Sequence, residues 1–309
     1  MKKLFHLSLS VAFVMFMIPH SVFAAPEDEL DGKILYTHTV FGPYNPEVDD
    51  TPPSGTFLNR MKPDGSQDEE LEKLSFRITD VSPDGTKVLA TQYNSTTGKP
   101  EIVVSKLDGS NRVVLTEGDG AKWSGDGKKI AFVRDSMTGG YHDIFVMDAD
   151  GSNITQVTET PADESAVDIN YDGSQLVFQS DETGRYHLYL MNADGTNKRQ
   201  VTGDASNETA EYDPTYSPDG KMIAYGRYIY DEADVYTMDA DGNNQINRTG
   251  NITDHVQHPV WSPDGKKLVL QQLPNTQDPN KMYTMNVDGT NLHVIENGKI
   301  LNTPVGWIE

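Results

Sequence analysis

The chain has 309 residues, no cysteine and a formal charge of −22, which excludes disulfides, a thiol nucleophile and a lipid-modified cysteine. A field of that sign repels phosphate backbones and anionic lipid, so nucleic acid and membrane surfaces are poor candidate partners. Cations, basic proteins and uncharged ligands stay open, as does plain solubility.

The chain begins Met1-Lys2-Lys3, runs through an apolar stretch from Leu7 to Ile18 and reaches the small-residue pattern Val22-Phe23-Ala24, which predicts a secretory signal peptide over residues 1–24. A retained membrane anchor needs about 20 apolar residues, and this run is shorter and interrupted by Pro19 and His20. Residues 25–309 are then expected to be one exported domain, periplasmic or extracellular, monomeric, from a bacterial source and with no membrane span. Losing Lys2 and Lys3 leaves a charge of about −24.

Gly32–Val40 reads as a strand, followed by a Pro- and Asp-rich loop from Phe41 to Gly55, a second strand Thr56–Met61 and a poor third one from Glu69 to Leu74. From there one unit repeats. Trp261-Ser262-Pro263-Asp264-Gly265 has imperfect copies ending at Gly85, Gly127, Gly173 and Gly220, and a partner motif, Met-Asp/Asn-x-Asp-Gly-Thr/Ser-Asn, has its glycine at Gly65, Gly109, Gly151, Gly195, Gly242 and Gly289. Both series step by 42 to 47 residues, the period of four-stranded propeller blades rather than of helical solenoids. The third repeat shows the unit best, with strands Ala121–Trp123, Lys129–Val133, Asp143–Met147 and Asn153–Thr158. In Ser-Pro-Asp-Gly the proline presets one turn dihedral and the glycine accepts the positive φ that closes the turn.

The first repeat lacks its opening strand, and the chain ends Thr303-Pro304-Val305-Gly306-Trp307-Ile308, similar to His258-Pro259-Val260-Trp261. Lending this last strand to the first blade gives an all-β, six-bladed propeller of four-stranded antiparallel blades and removes exposed sheet edges. Trp307 falls at the place of either Trp261 or Ser262.

On these motifs, residues 32–309 resemble the β-propeller repeats of the TolB C-terminal domain, a WD-like family also similar to the propellers of dipeptidyl peptidase IV and prolyl oligopeptidases and to oligogalacturonate lyase. Gly125 stands for the motif proline and Asn170-Tyr171 for Ser-Pro. The N-terminal domain that carries TolB's envelope contacts has no counterpart in these residues, so the resemblance implies no TolB-specific role. The peptidase relatives keep their nucleophile in a separate hydrolase domain, and this chain has no Gly-x-Ser-x-Gly elbow.

Propeller turns fall on two faces. The one with the Asp-Gly turns is uniform and reads as structural; Asp148–Asn153 and Asp239–Asn244 superficially resemble calcium loops but lack the completing glutamate. The other is variable and acidic, with Glu47, Asp49, Asp50, Asp119, Asp163, Glu164, Asp181, Glu182, Glu208, Glu211, Asp213, Asp231, Glu232, Asp234, Asp254 and Asp278, and variable loops on a rigid scaffold are where binding usually resides. The sharper constellation is at the entries to the innermost strands, where Glu211, Asp213, His255, Gln257 and His258 would converge near the channel mouth with Arg77 and Asp119. His255, His258 and Asp213 suit a divalent metal, and the resemblance to oligogalacturonate lyase, which holds its metal in a propeller channel with histidines and a glutamine, points the same way. His38, His142, His187 and His293 are expected on strands or opposite loops. Tyr44, Tyr141, Tyr186 and Tyr228 could stack on sugars or simply pack between blades.

Three readings result. The first is a non-catalytic exported module binding a protein, cell-envelope or glycan ligand. The second is a divalent-metal-dependent polysaccharide lyase or hydrolase, and the third a calcium-stabilised scaffold with no further ligand.

Overall fold

Short runs of Val, Ile, Phe and Tyr held between Asp-Gly turns leave the chain little choice but strand and hairpin. The computed structural model describes residues 32–41, 53–135, 141–203, 208–230, 232–252, 255–272, 281–295 and 303–308, with side chains except at 39–41 and 53–55. The expected signal peptide, and with it Glu47, Asp49, Asp50, Asp231, Asp254, Asp278 and Tyr44, lies outside them.

The described residues form twenty-four strands and no helix. They run β1 (Lys33–Phe41), β2 (Pro53–Met61), β3 (Glu69–Leu74), β4 (Arg77–Val81), β5 (Lys87–Tyr93), β6 (Pro100–Lys106), β7 (Val113–Glu117), β8 (Asp119–Trp123), β9 (Lys129–Asp135), β10 (His142–Asp148), β11 (Thr155–Gln156) and β12 (Glu164–Ile169). There follow β13 (Gln175–Ser180), β14 (His187–Asn192), β15 (Arg199–Gln200), β16 (Thr209–Tyr216), β17 (Met222–Ile229), β18 (Glu232–Asp239), β19 (Ile246–Asn247), β20 (Val256–Trp261), β21 (Lys267–Gln272), β22 (Met282–Asn286), β23 (His293–Ile295) and β24 (Thr303–Ile308). They assemble into six antiparallel four-stranded sheets: β24-β1-β2-β3, then β4 to β7, β8 to β11, β12 to β15, β16 to β19 and β20 to β23. Numbered in that order as blades 1 to 6, their inner strands β24, β4, β8, β12, β16 and β20 touch one another cyclically. The ring is the expected propeller, closed by the expected strand.

Closure has a defined register. Trp307 lies opposite Ile34 on β1 just as Trp261 lies opposite Leu268 on β21, so Trp307 takes the Trp261 place. The first hairpin is longer than expected: β1 continues to Phe41 and β2 already starts at Pro53. The outer strand of the third blade is shorter than the sequence suggests, only Thr155–Gln156, while that of the first blade keeps its expected bounds, Glu69–Leu74.

Turn chemistry explains the motifs. Gly85 N donates to Ser82 O at 2.8 Å with Gly85 at φ +67°, while Ser82 Oγ and Thr86 N both donate to Asp84 Oδ1. In the partner motif the final asparagine takes a left-handed turn itself, with Asn111, Asn153, Asn197, Asn244 and Asn291 all at φ 53° to 59°, a region asparagine enters more readily than most residues.

The core is divided by blade junction. Ile144, Val146, Phe178 and Tyr189 pack between blades 3 and 4, Leu188, Leu190, Ile223 and Tyr225 between 4 and 5, and Leu35, Leu58, Val88 and Val103 between 1 and 2. Each middle strand is therefore buried on both faces, as β9 and β13 show.

Candidate functional site

The channel mouth is built by a defect that the inner strands share. Seven residues ahead of the turn glycines Gly127, Gly173, Gly220 and Gly265 stand Gly120, Ala166, Asp213 and His258, all at positive φ (62°, 44°, 52° and 50°). The ladder shifts register there, between Asp119 and Lys122, Ser165 and Asp168, Tyr212 and Thr215, and Gln257 and Val260. These are β-bulges, which bend a strand and re-aim its side chains.

The bulges bring Asp213 and His258 of adjacent blades together, with Asp213 Oδ2 2.8 Å from His258 Nδ1 and both side chains about one-third exposed. His255 does not join them, because its Nδ1 accepts the Ala233 backbone N–H at 3.1 Å. The expected metal trio is thus reduced to one pair, and among the described residues no three His, Asp or Glu side chains form a metal-holding group.

One place earlier, eight residues ahead of the turn glycines, stand Arg77, Asp119, Ser165, Tyr212 and Gln257. Arg77 Nη2 donates to Asp119 Oδ1, which also receives Thr91 Oγ1 and the Gly120 N–H. Gln257 Oε1 accepts the Tyr228 hydroxyl. Tyr212 packs between two other tyrosines, its ring centroid 5.6 Å from Tyr186 at 52° and 5.1 Å from Tyr228 at 79°. All three rings are half-buried. Burial, with the Asp213 charge and Tyr212 beside it, pushes the Tyr228 hydroxyl up to about 12. At the other end of the row Tyr186 Oη donates to Asp163 Oδ2 at 2.6 Å, and His142 Nδ1 lies 2.6 Å from Asp163 Oδ1. Burial works to raise the Asp163 carboxyl, but these partners outweigh it and hold the group below its ordinary range.

Glu211 is placed otherwise than on an exposed rim. It is fully buried, with Oε1 taking Arg227 Nε at 2.8 Å and Oε2 taking Thr202 Oγ1 at 2.9 Å beside His187 Nδ1 at 2.8 Å. Glu164 is equally buried, bonded to Thr160 and Lys198. Asp234 is used inside its own blade, accepting Thr249 Oγ1 and Asn247 Nδ2, while Glu232 stays exposed opposite Ile229 at the β17–β18 hairpin. Much of the acidic face is therefore internally matched.

His142 and His187 were expected away from the site, yet each opens the third strand of its blade and meets a carboxylate of the next blade. Arg227, Gln179, Gln271, Tyr212 and Thr303 were missed altogether. The eight-residue offset from the turn glycine was the available signal for Tyr212, since it groups that residue with Arg77, Asp119 and Gln257. On the opposite face the calcium-like turns are satisfied from within: Asp148 accepts Lys129 Nζ and Asn153 Nδ2, and Asp150 accepts Ser152 N and Oγ.

The family profile described as the TolB beta propeller domain matches residues 56–213 and 186–309. A Tol-Pal system protein TolB from Francisella tularensis subsp. mediasiatica (strain FSC147) is 31% identical over 74 residues, 24% of this chain and 17% of that protein, so the match spans less than one-fifth of that relative's length. Among solved structures, TolB from Acinetobacter baumannii superposes with TM-score 0.67 at 21% identity, covering 90% of this chain and 67% of that one. An oligogalacturonate lyase in complex with manganese superposes with TM-score 0.56 at 16% identity, covering 84% and 77%.

Proposed function

The chain belongs to the TolB beta propeller domain family, and from that premise we propose that it is an exported, non-catalytic propeller that binds a protein or cell-envelope ligand at the channel mouth. One observation carries this reading. At the position eight residues ahead of the turn glycine, five blades present Arg77, Asp119, Ser165, Tyr212 and Gln257, a set with no common chemistry, while the Ser-x-Asp-Gly turns at the other end of the same strands stay nearly uniform. Structural demands repeat from blade to blade; a position that these five blades fill differently around one opening suits a single asymmetric ligand.

The test is capture from a cell-envelope extract by the immobilised protein. Wild type should retain a partner, the double variant Asp213→Ala/Gln257→Ala should release it, and Asp194→Ala, in a turn on the other face, should retain it. Equal capture by all three would remove the mouth from the reading.

A second reading, a divalent-metal-dependent polysaccharide lyase or hydrolase, is favoured by the Asp213–His258 pair, an oxygen and a nitrogen donor side by side at the mouth. It predicts a stoichiometric transition metal in protein purified without chelator, lost in His258→Ala together with any glycan-cleaving activity. Protein that carries no such metal and melts identically with and without EDTA would remove it.

A further inference from the structure

Gln179 and Gln271 occupy the same place in blades 4 and 6, on the second strand opposite Ser165 and Gln257. Gln179 Oε1 accepts the backbone N–H of Asp213, the bulge residue of the next blade, at 3.3 Å. For Gln271 the corresponding residue is Pro304, three before Trp307 as Asp213 is three before Tyr216, and proline has no N–H to give. Gln271 Oε1 is accordingly left without a hydrogen-bond partner among the described residues, although the side chain is only 6% exposed and its Nε2 is fixed on Thr303 Oγ1 at 3.2 Å. A buried acceptor in that condition costs stability unless something donates to it.

Gln271 faces Gln257 across the β20–β21 ladder, and Gln257 is tied to Tyr228, the end of the tyrosine row. From blade 4 to Gln271 the mouth thus offers three aromatic rings, the carboxamides of Gln179, Gln257 and Gln271, and the Ser165 and Thr303 hydroxyls. The carboxylates beside them are matched: Asp213 by His258, Asp119 by Arg77, Asp163 by His142 and Tyr186, and Glu211 by Arg227 and His187.

We infer that this strip from blade 4 to the blade 6–blade 1 junction binds an uncharged glycan, with sugar rings lying on Tyr212 and its neighbours and a sugar hydroxyl or N-acetyl N–H donating to Gln271 Oε1. The inference rests on the mouth being the ligand face. Apolar C–H faces against aromatic rings and hydroxyls against carboxamides are the complementary chemistry of such a strip. Polyuronates and phosphorylated glycans are repelled by the chain's charge of −22. A basic peptide is the less favoured occupant because the carboxylates that would receive it already have partners.

Calorimetric titration of the mature protein with cellotetraose, N-acetylchitotetraose, mannotetraose and tetragalacturonate tests it. At least one neutral tetrasaccharide should bind and tetragalacturonate should not. Tyr212→Ala and Gln271→Ala should each weaken binding about tenfold, whereas Tyr212→Phe, which keeps the ring, should bind within about twofold of wild type. If Tyr212→Ala fails to fold, Gln271→Ala and Tyr212→Phe still carry the comparison. No binding of any neutral tetrasaccharide at millimolar concentration, or binding indifferent to Gln271→Ala and Tyr212→Ala, overturns the inference. Should an envelope protein then be captured and released by Asp213→Ala/Gln257→Ala, the mouth remains the ligand face and a protein is its occupant; if neither sugar nor protein responds, both readings fall.

Discussion

Asp168 sits in the channel wall five residues ahead of its turn glycine, on the same ring as Lys122 and Asp80 of the two preceding blades. Its carboxylate accepts the N–H of Ile169 at 2.9 Å and of Tyr216 on the next blade at 2.7 Å, so it links blades 4 and 5. Burial pushes its carboxyl up to about 6, with Lys122 opposing and Asp80 adding to the rise; burial raises Asp80 as well, against the same lysine. Because the folded chain holds this proton more tightly than the unfolded one, it binds more protons between pH 3.8 and about 6, and stability falls as pH rises through that window. The displacement is worth of order 3 kcal/mol. Turn carboxylates work in another range: Asp126, held at about 2 mainly by its bond from Lys128, contributes stability that is lost only as pH falls below about 4. The expected melting curve therefore has its highest Tm near pH 4 to 5 and declines toward pH 7.5. Asp168→Asn should flatten that decline even if the loss of one acceptor lowers Tm at every pH. A variant with an unchanged slope between pH 5 and 7.5 would show that the channel carboxylate does not govern it.

At the scale of the strand, what the sequence discloses depends on whether the cause is local. Ser124-Gly125-Asp126-Gly127 and Asp148-Ala149-Asp150-Gly151 make their own turns from their own side chains and bracket the strands between them, so β9 and β10 agree with expectation to within a residue or two. The bulges are different. Ala166, Asp213 and His258 adopt positive φ; aspartate and histidine enter that region more readily than most residues but alanine does not, and the common cause is the register of β12, β16 and β20 against their partners. Partners across blades were hidden for the same reason. Glu211 meets Arg227 because the two are opposite each other on β16 and β17, and meets His187 because blade 4 packs against blade 5. Residue type marked Glu211 as an exposed acid, and only the packed junction turns it into a buried, fully matched one. Of the mouth residues, Asp213 and His258 meet across neighbouring blades, Gln257 is bonded to Tyr228 instead, His255 is taken by a backbone N–H, and the tyrosine row draws on the residue before β14, the middle of β16 and the end of β17.

For the whole molecule, stability hangs on closing the ring, since no blade buries both faces alone. β24 serves two junctions at once. Trp307 packs with Ile34, Tyr36, Val269 and Met282 between blades 6 and 1, and Ile308 packs with Leu35, Ile78 and Val88 between blades 1 and 2. Gly306 sits so close to blade 2 that a Cβ there would fall 2.3 Å from Val81 Cγ2, so β24 and β4 are fitted, not merely adjacent. Trp307→Ala alone should cost about 3–5 kcal/mol, the usual range for an aromatic removed from a core. Removing residues 303–309 takes both junctions and the β1 ladder, a loss comparable with the whole 5–15 kcal/mol by which such domains are folded, and it bares the β1 edge to pairing with other chains. The truncated protein should lose its cooperative thermal transition and its near-ultraviolet circular dichroism and should aggregate, while Trp307→Ala still melts cooperatively at a lower Tm. Survival of a sharp, full-amplitude transition in the truncated chain would mean that five complete blades hold their arc without the sixth being closed. The mouth, whose Gln271 and Thr303 come from the two sides of that seam, would then have to be intact in an open ring, and glycan titration of the truncated protein would show whether it is.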